Sequence, residues 1–496
     1  MAYAGLDVGT SGCKLLVYDL DGRKLFKAGR KYSETGTGGH RELDGAVVLE
    51  HVLSVLEEAG RNCPEKIEAM SVACLGESVV CLDEKDQVLY PSMLTGDSRG
   101  IPETEELCEK FGREKLFDVT GLPPNELYGL PKFIWLNRNT NVIKKARAIL
   151  FYEDFITYML TGERKCSYSA AARSLAFDIN RLTWSEELLA EAGIRVEQMS
   201  EPAAPCSVIG TVRPAMASRL HLSPDMKVVA GGHDQTCAAL GSGLIDEKGG
   251  ECGMGTCEFM FMMMPSPLKT PAMMQNDFTC IPYVIPGKYL TSLEVTTCGI
   301  LKNWARENFL RGIEDLSRSS GEEFFSCVDR IAKEARSEIL VLPQFGSAGN
   351  PDLSMDARGV ISNLTIHTKP EEIYRAILES FAFQMYLSYE RLQILSGVGI
   401  EQIVATGGGA ASDLTLQIRA DVFRMKVCTL SDEEAGTLGC MIMAAAGDGA
   451  YESIADGIRK AVHIDKEFIP NPDMYGFYEE KFEKYKKLYE LMYNFK

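Results

Sequence analysis

Two stretches far apart in the chain, GLDVGTSGCKLLVYD (residues 5–19) and GGECGMGTCEFMFMM (residues 249–263), follow one plan. Each leads from a glycine-rich start through Gly-Thr-Ser or Gly-Thr-Cys into an apolar strand. A Gly-Thr turn lets the backbone take φ > 0 and brings N–H and hydroxyl donors close to an anion. One such turn is common. Two of them, each opening a half of the chain, imply a duplicated domain with a phosphate site on either side of a cleft.

Around the first turn the alternation of periods builds a domain. Tyr3 to Leu6 and Lys14 to Tyr18 read as strands, Asp21-Gly22 as a hairpin signal and Lys24 to Phe26 as the return strand. Val48, Val52, Val55, Leu56 and Ala59 mark one face of a helix stopping near Gly60, and Ile67 to Cys74 reads as a buried strand. Strand, hairpin, strand, helix, strand is the RNase-H-like arrangement on a mixed sheet. A similar order follows the second turn: a strand over 338–342, a helix from Pro370 to Leu395, and a strand over 402–406 that ends in Gly407-Gly408-Gly409. The fold expected is α/β, with two RNase-H-like domains facing a central cleft. The boundary falls where GSGLIDEKGG loses apolar periodicity, giving domains 1–246 and 247–496, and residues 478–496 read as a closing helix.

Composition narrows the partners. The 496-residue chain is 45% hydrophobic and 25% charged, as an ordinary globular protein is. A formal net charge of −18 without a basic stripe argues against nucleic acid and anionic membranes. The fifteen cysteines contain no CxxC, and Cys252 and Cys257 lack partners for a zinc site; they read as small apolar residues of a reducing, cytoplasmic compartment. No signal peptide is visible, and the longest apolar runs are too short to span a bilayer.

Several residues could carry chemistry. Asp7 precedes Gly9, Thr10, Ser11 and Lys14. A carboxylate beside phosphate donors calls for a cation, so Asp7 reads as a Mg²⁺ ligand, direct or through water, and Lys14 as a point charge for phosphate. The same residues would also make a plain turn with a surface lysine. The strand over 227–230 ends in GGHDQ, which aims Asp234 into the cleft as a general base for a substrate hydroxyl; it could equally cap the next helix. His233 reads as structural. In TGDSRG (95–100), Asp97 and Arg99 share a side and suit a polyol, or form an ordinary salt bridge. In ATGGGAASDLTLQIRADVF (405–423), Gly408 and Gly409 would let a flat base lie on backbone.

Taken in order along the chain, these segments resemble the FGGY family of carbohydrate kinases, of the actin, Hsp70 and sugar-kinase fold, in a xylulokinase-like subgroup. The resemblance implies ATP and Mg²⁺ as cofactors, a small sugar or polyol as acceptor, and a homodimer as the family-level assembly. It implies ATP contacts at Gly9, Thr10, Ser11, Lys14, Gly255, Thr256, Gly299, Gly408, Gly409 and Asp413, with Asp7 and Asp234 near the metal and Asp234 as base. Asp97 and Arg99 match a WxDxR motif in which Thr95 replaces the Trp, and Lys132 and Trp135 match a further family segment. Glu77 and Ser78, in GESVVCLD (76–83), stand where xylulokinases carry GQMHG, and line the acceptor site. Asp413 stands where some members use Asn. Two other readings remain at this stage: a non-catalytic sugar- or nucleotide-binding regulator of the same fold, and a chaperone- or actin-like ATPase.

Overall fold

Two sheets of matching construction carry the molecule, seen in a computed structural model that describes residues 1–354 and 356–494. The first comprises β1 (Ala2–Val8), β2 (Gly12–Tyr18), β3 (Lys24–Lys31), β4 (Ile67–Cys74), β5 (Val208–Thr211) and β6 (Lys227–His233), in spatial order β5-β6-β4-β1-β2-β3. The second comprises β7 (Gly249–Met254), β8 (Glu258–Met264), β9 (Ile281–Pro282), β10 (Tyr289–Val295), β11 (Gln402–Thr406), β12 (Lys426–Leu430) and β13 (Ile464–Phe468), in order β9-β10-β8-β7-β11-β12-β13. Reversing the second list matches β13 through β10 to the six strands of the first and leaves β9 as an additional edge strand. β4, β1 and β2 correspond to β11, β7 and β8, and parallel and antiparallel pairings agree at each step. The expected duplication is therefore present strand by strand.

Local chemistry explains the elements. β4 is almost wholly buried, as a parallel strand covered on both faces should be. Helix α1 (Gly45–Asn62) starts where the Asp44 carboxylate accepts from the Ala46 N–H, and it buries Val48, Val52, Val55, Leu56 and Ala59 on one face. Two further helices follow equivalent strands: α2 (Asp234–Gly241) after β6, and α6 (Ala435–Asp448) after β12. Between them in sequence lie α3 (Gly299–Asn308), α4 (Pro370–Ser396) and α5 (Asp413–Phe423). Pro370 occupies the first turn of α4, and Gly397 ends it in the left-handed region at φ 70°.

One expected strand falls elsewhere. Leu340–Leu342 pairs with Val360–Ser362 in a separate two-stranded ribbon rather than joining the second sheet. The place beside β8 is taken by β10, whose seven residues give a ladder that the three-residue strand could not. The closing helix spans Tyr475–Asn494; the last two residues of the expected segment, Phe495 and Lys496, lie outside the described residues.

The halves meet through α2 and α6. A Cβ on Gly5 of β1 would sit 2.0 Å from the Thr437 carbonyl oxygen. One on Gly241 would lie 1.9 Å from the Ala435 oxygen, and one on Gly439 2.0 Å from the Cys237 oxygen. Helix α6 of the second half thus lies backbone-to-backbone on a strand and a helix of the first. Leu438 and the run from Cys440 to Ala445 bury into one apolar cluster with Tyr3, Leu16, Ala73, Val229 and Leu240. Tyr18 and Thr437 hydroxyls pair at 2.8 Å, and Asp448 accepts from Tyr3 at 2.8 Å and from Lys227 at 2.6 Å.

Gly439 gives the packing a signed test. By helix propensity alone, Gly439→Ala would stabilise α6 by about 1 kcal/mol. Overpacking against the Cys237 carbonyl should reverse that sign and cost about 2 kcal/mol, read as a lower denaturation midpoint.

Candidate active site

The hairpin turns of the two sheets are the first components of the site. In the first, Val8 faces Cys13 and Asp7 faces Lys14, with Gly9, Thr10 and Ser11 in the loop. The Gly9 N–H donates to the Gly12 oxygen at 2.9 Å, and the Tyr32 hydroxyl donates to the Gly9 oxygen at 2.7 Å. In the second, Met254 faces Glu258 and Gly253 faces Phe259, with Gly255 and Thr256 in the loop. There the Gly255 N–H donates to the Cys257 oxygen at 2.9 Å. The Gly299 N–H donates to the Thr256 oxygen at 3.0 Å, which seats the start of α3 on the turn. A Cβ on Gly299 would come 2.9 Å from the Gly255 oxygen.

Four of the expected nucleotide-binding glycines converge. Gly255, Gly299, Gly408 and Gly409 line one cavity of about 270 Å³, with Lys302, Asn303 and Phe325 also on its wall. Gly407 needs its φ of 77° to turn the chain, and Cβ atoms on Gly407 and Gly409 would strike Met254 at 2.7 and 2.8 Å. Asp413, by contrast, faces a neighbouring cavity of about 680 Å³ and is exposed, paired with Lys466 at 2.9 Å. Lys302 and Asn303 escape sequence reading because they sit in an amphipathic helix whose other face is ordinary core.

Asp234 opens α2 at the end of β6, and its side chain is 37% exposed. Its Oδ1 accepts from the Gln235 N–H at 2.6 Å and lies 3.2 Å from His233 Nε2. The protein packed around this opening, and then the charge of Asp7, push its carboxyl up to about 7, against the Gln235 N–H that favours the ionised form. His233 is driven down to about 3 by burial and by the Arg173 charge, so its ring is neutral. The strand beneath is tied by buried Glu153, which accepts from the Gly231 N–H at 2.9 Å and the Ser167 hydroxyl at 2.6 Å.

Behind Asp234 stands a buried charge cluster. Glu77, 4% exposed, holds the left-handed region at φ 59°, a conformation costly for a non-glycine residue and often kept at functional sites. Arg173 Nε donates to Glu77 Oε1 at 2.6 Å, Thr95 donates to Oε2 at 3.0 Å, and the Arg173 guanidinium lies 5.1 Å from the Tyr128 ring centroid. Burial is the strongest influence on Glu77 and opposes its ionisation, but Arg173 and Lys132 together help hold the carboxyl below its ordinary range. Lys132, 2% exposed, has no hydrogen-bond partner for Nζ, and burial pulls its ammonium down to about 8. Arg173 escapes sequence reading: it ends a run of small residues, and its partner lies 96 positions away.

Asp97 and Arg99 are brought together but largely occupy one another. Arg99 Nε donates to Asp97 Oδ1 at 2.8 Å and Nη2 to Oδ2 at 2.6 Å, while Nη1 reaches Glu42 at 2.7 Å. The guanidinium also stacks 4.9 Å from the Trp135 ring centroid, and Asp97 is fully buried. The Ser78 hydroxyl donates to the Met93 oxygen at 2.9 Å and is buried.

Residues 2–241 match the N-terminal domain, and residues 250–447 the C-terminal domain, of the FGGY family of carbohydrate kinases. The chain belongs to that family. It is an enzyme, a carbohydrate kinase of the xylulokinase-like type. It is 27% identical to the xylulose kinase of Lactococcus lactis over 492 residues, covering 98% of this chain and 96% of the relative. It is 25% identical to the autoinducer-2 kinase of Salmonella typhimurium, covering 98% and 93%. The solved structure of a xylulose kinase from Rhodospirillum rubrum, 22% identical and covering 100% and 99% of the two chains, shares the fold with a TM-score of 0.90. Among the described residues no helix is long and apolar enough to cross a membrane, and all fifteen cysteines of this kinase are free.

The Asp97–Arg99 pair should answer to stability measurements. Asp97→Asn leaves the buried guanidinium with Glu42 as its one carboxylate partner and should cost about 2 kcal/mol in denaturant unfolding, while the KM for the acceptor moves little in the protein that remains folded.

Proposed function

We propose that this kinase transfers the γ-phosphoryl group of ATP to a hydroxyl of a small ketose or polyol, with Asp234 as general base. The observation that carries the reading is Asp234 at the end of β6: a carboxyl 37% exposed, which burial and the charge of Asp7 raise to about 7. The donor would lie between the two Gly-Thr turns, its phosphates on Gly9 to Ser11 and Gly255-Thr256 and the rest along Gly299, Gly408 and Gly409. The acceptor would rest against Glu77, within the wall that the Asp97–Arg99 pair stiffens. Its hydroxyl oxygen forms the new P–O bond, its proton passes to Asp234, and ADP leaves with the old bridging oxygen. Closure of the halves would exclude water from that transfer.

Mg²⁺ fits the residues present. Among the described residues no cluster of three metal-binding side chains exists. Mg²⁺ needs none, since it binds through one or two carboxylates together with substrate phosphates and water. Asp7, and Asp234 through water so that its carboxylate stays free as the base, would supply those carboxylates, and the cation would neutralise charge on the transferring group. Free thiols throughout support the reading of a reducing, cytoplasmic setting for the reaction. The relatives' names, xylulose kinase and autoinducer-2 kinase, put xylulose and autoinducer-2 at the head of the acceptors to be tried.

The decisive experiment measures ADP release across ketopentoses, ketohexoses, methylpentuloses and polyols, with Asp234→Asn alongside. Turnover of the best acceptor should fall about a thousandfold in the variant, with nucleotide affinity kept. Equal loss of both would demote Asp234 to a helix cap, and sugar binding without turnover in the parent would favour the regulatory reading. The pH profile offers an independent check. Because the ionised carboxylate is the base, kcat/KM should rise with pH through a limb near 7. A limb near the ordinary aspartate value would contradict the assignment.

A further inference from the structure

Lys14 stands between two carboxylates that belong to different halves of the molecule. Its Nζ lies 2.6 Å from Glu434 Oε2 but 3.4 Å from Asp7 Oδ2. The first is a charge-assisted contact at full strength, whereas the second exceeds the ordinary N–H···O range. Glu434 sits at the N-cap position of α6 with its side chain only 11% exposed, and its other oxygen takes Lys27 Nζ at 2.8 Å. Two lysines of the first sheet are thus anchored on one carboxylate of the second half. Asp7 is left with spare acceptor capacity beside the first turn of α6, where a Cβ on Gly436 would still stand 3.7 Å from its Oδ2.

We propose that Glu434 is a positioning residue: by holding the Lys14 ammonium off Asp7, it reserves the Asp7 carboxylate for the divalent cation that accompanies the donor nucleotide. The inference rests on the Mg·nucleotide reading of the cleft. Without Glu434 the nearest anion left to Lys14 is Asp7, and a small side-chain movement would close the gap of 3.4 Å. The ammonium would then occupy the oxygen that the metal needs. Glu434 therefore acts on the metal through Lys14 rather than by touching it, and it does so from across the domain boundary.

The test follows Mn²⁺ binding by electron paramagnetic resonance in the presence of ADP, without turnover. Glu434→Gln should weaken Mn²⁺ about tenfold, as loss of groups supporting a metal ligand commonly does. Adding Lys14→Met to that variant should restore affinity to that of Lys14→Met alone, because the competitor is gone. Lys27→Met, which leaves the Lys14–Glu434 contact in place, should bind Mn²⁺ as the parent does. Unchanged affinity in Glu434→Gln, or no rescue in the double variant, would overturn the proposal, since damage to α6 would not be repaired by removing Lys14. Failure of the parent protein with ADP to bind Mn²⁺ would instead overturn the underlying Mg·nucleotide reading.

Discussion

Everything in this molecule depends on how closely one backbone can approach another at the meeting of its halves. Helix α6 touches β1 through Gly5 and α2 through Gly241 and Gly439, at separations that leave no room for a Cβ. A contact of this kind forbids the gaps that larger side chains would leave, so the two halves are fixed against each other along α6. It also seats Glu434, the residue before α6, within reach of Lys14. The cleft and its electrostatics are consequences of the helix crossing. The apolar run from Cys440 to Ala445 supplies most of the driving force, and the glycines supply the geometry.

The site divides its tasks between burial and charge. Burial raises Asp234 toward neutrality and silences His233, while the cations of Arg173 and Lys132 keep Glu77 ionised beside them. Two neighbouring carboxylates are thereby pushed in opposite directions, a separation that acid–base chemistry requires. The Asp97–Arg99 pair, folded onto itself and onto Trp135, supports this arrangement from behind.

Much of this was legible in the chain, and the pattern of success is physical. Strands such as β4 and helices such as α1 announce themselves because their burial has a period that local sequence carries. The Gly-Thr turns and the triple glycine are equally local, since a backbone that must bend or approach closely restricts its own residue types. What stayed hidden was long-range. Arg173 meets Glu77 from 96 positions away, and Lys14 meets Glu434 across the domain boundary. Neither pairing leaves a trace in spacing, because an ion pair constrains position in space and not in sequence. The strand over 340–342 was misplaced for a related reason: propensity identifies a strand but does not choose its partner.

The duplication of the two sheets is not complete, and its fault line gives the groove a direction. Where the first hairpin sets Asp7 opposite Lys14, the second sets Gly253 opposite Phe259. The first hairpin thus carries an ion pair at a register position where its counterpart carries none, built on the same backbone plan. A symmetrical cradle would accept a phosphate chain in either orientation. The two hairpins are not alike, so under the proposed function the paired architecture becomes vectorial: the reacting end of the donor would be delivered to the half that carries Asp234.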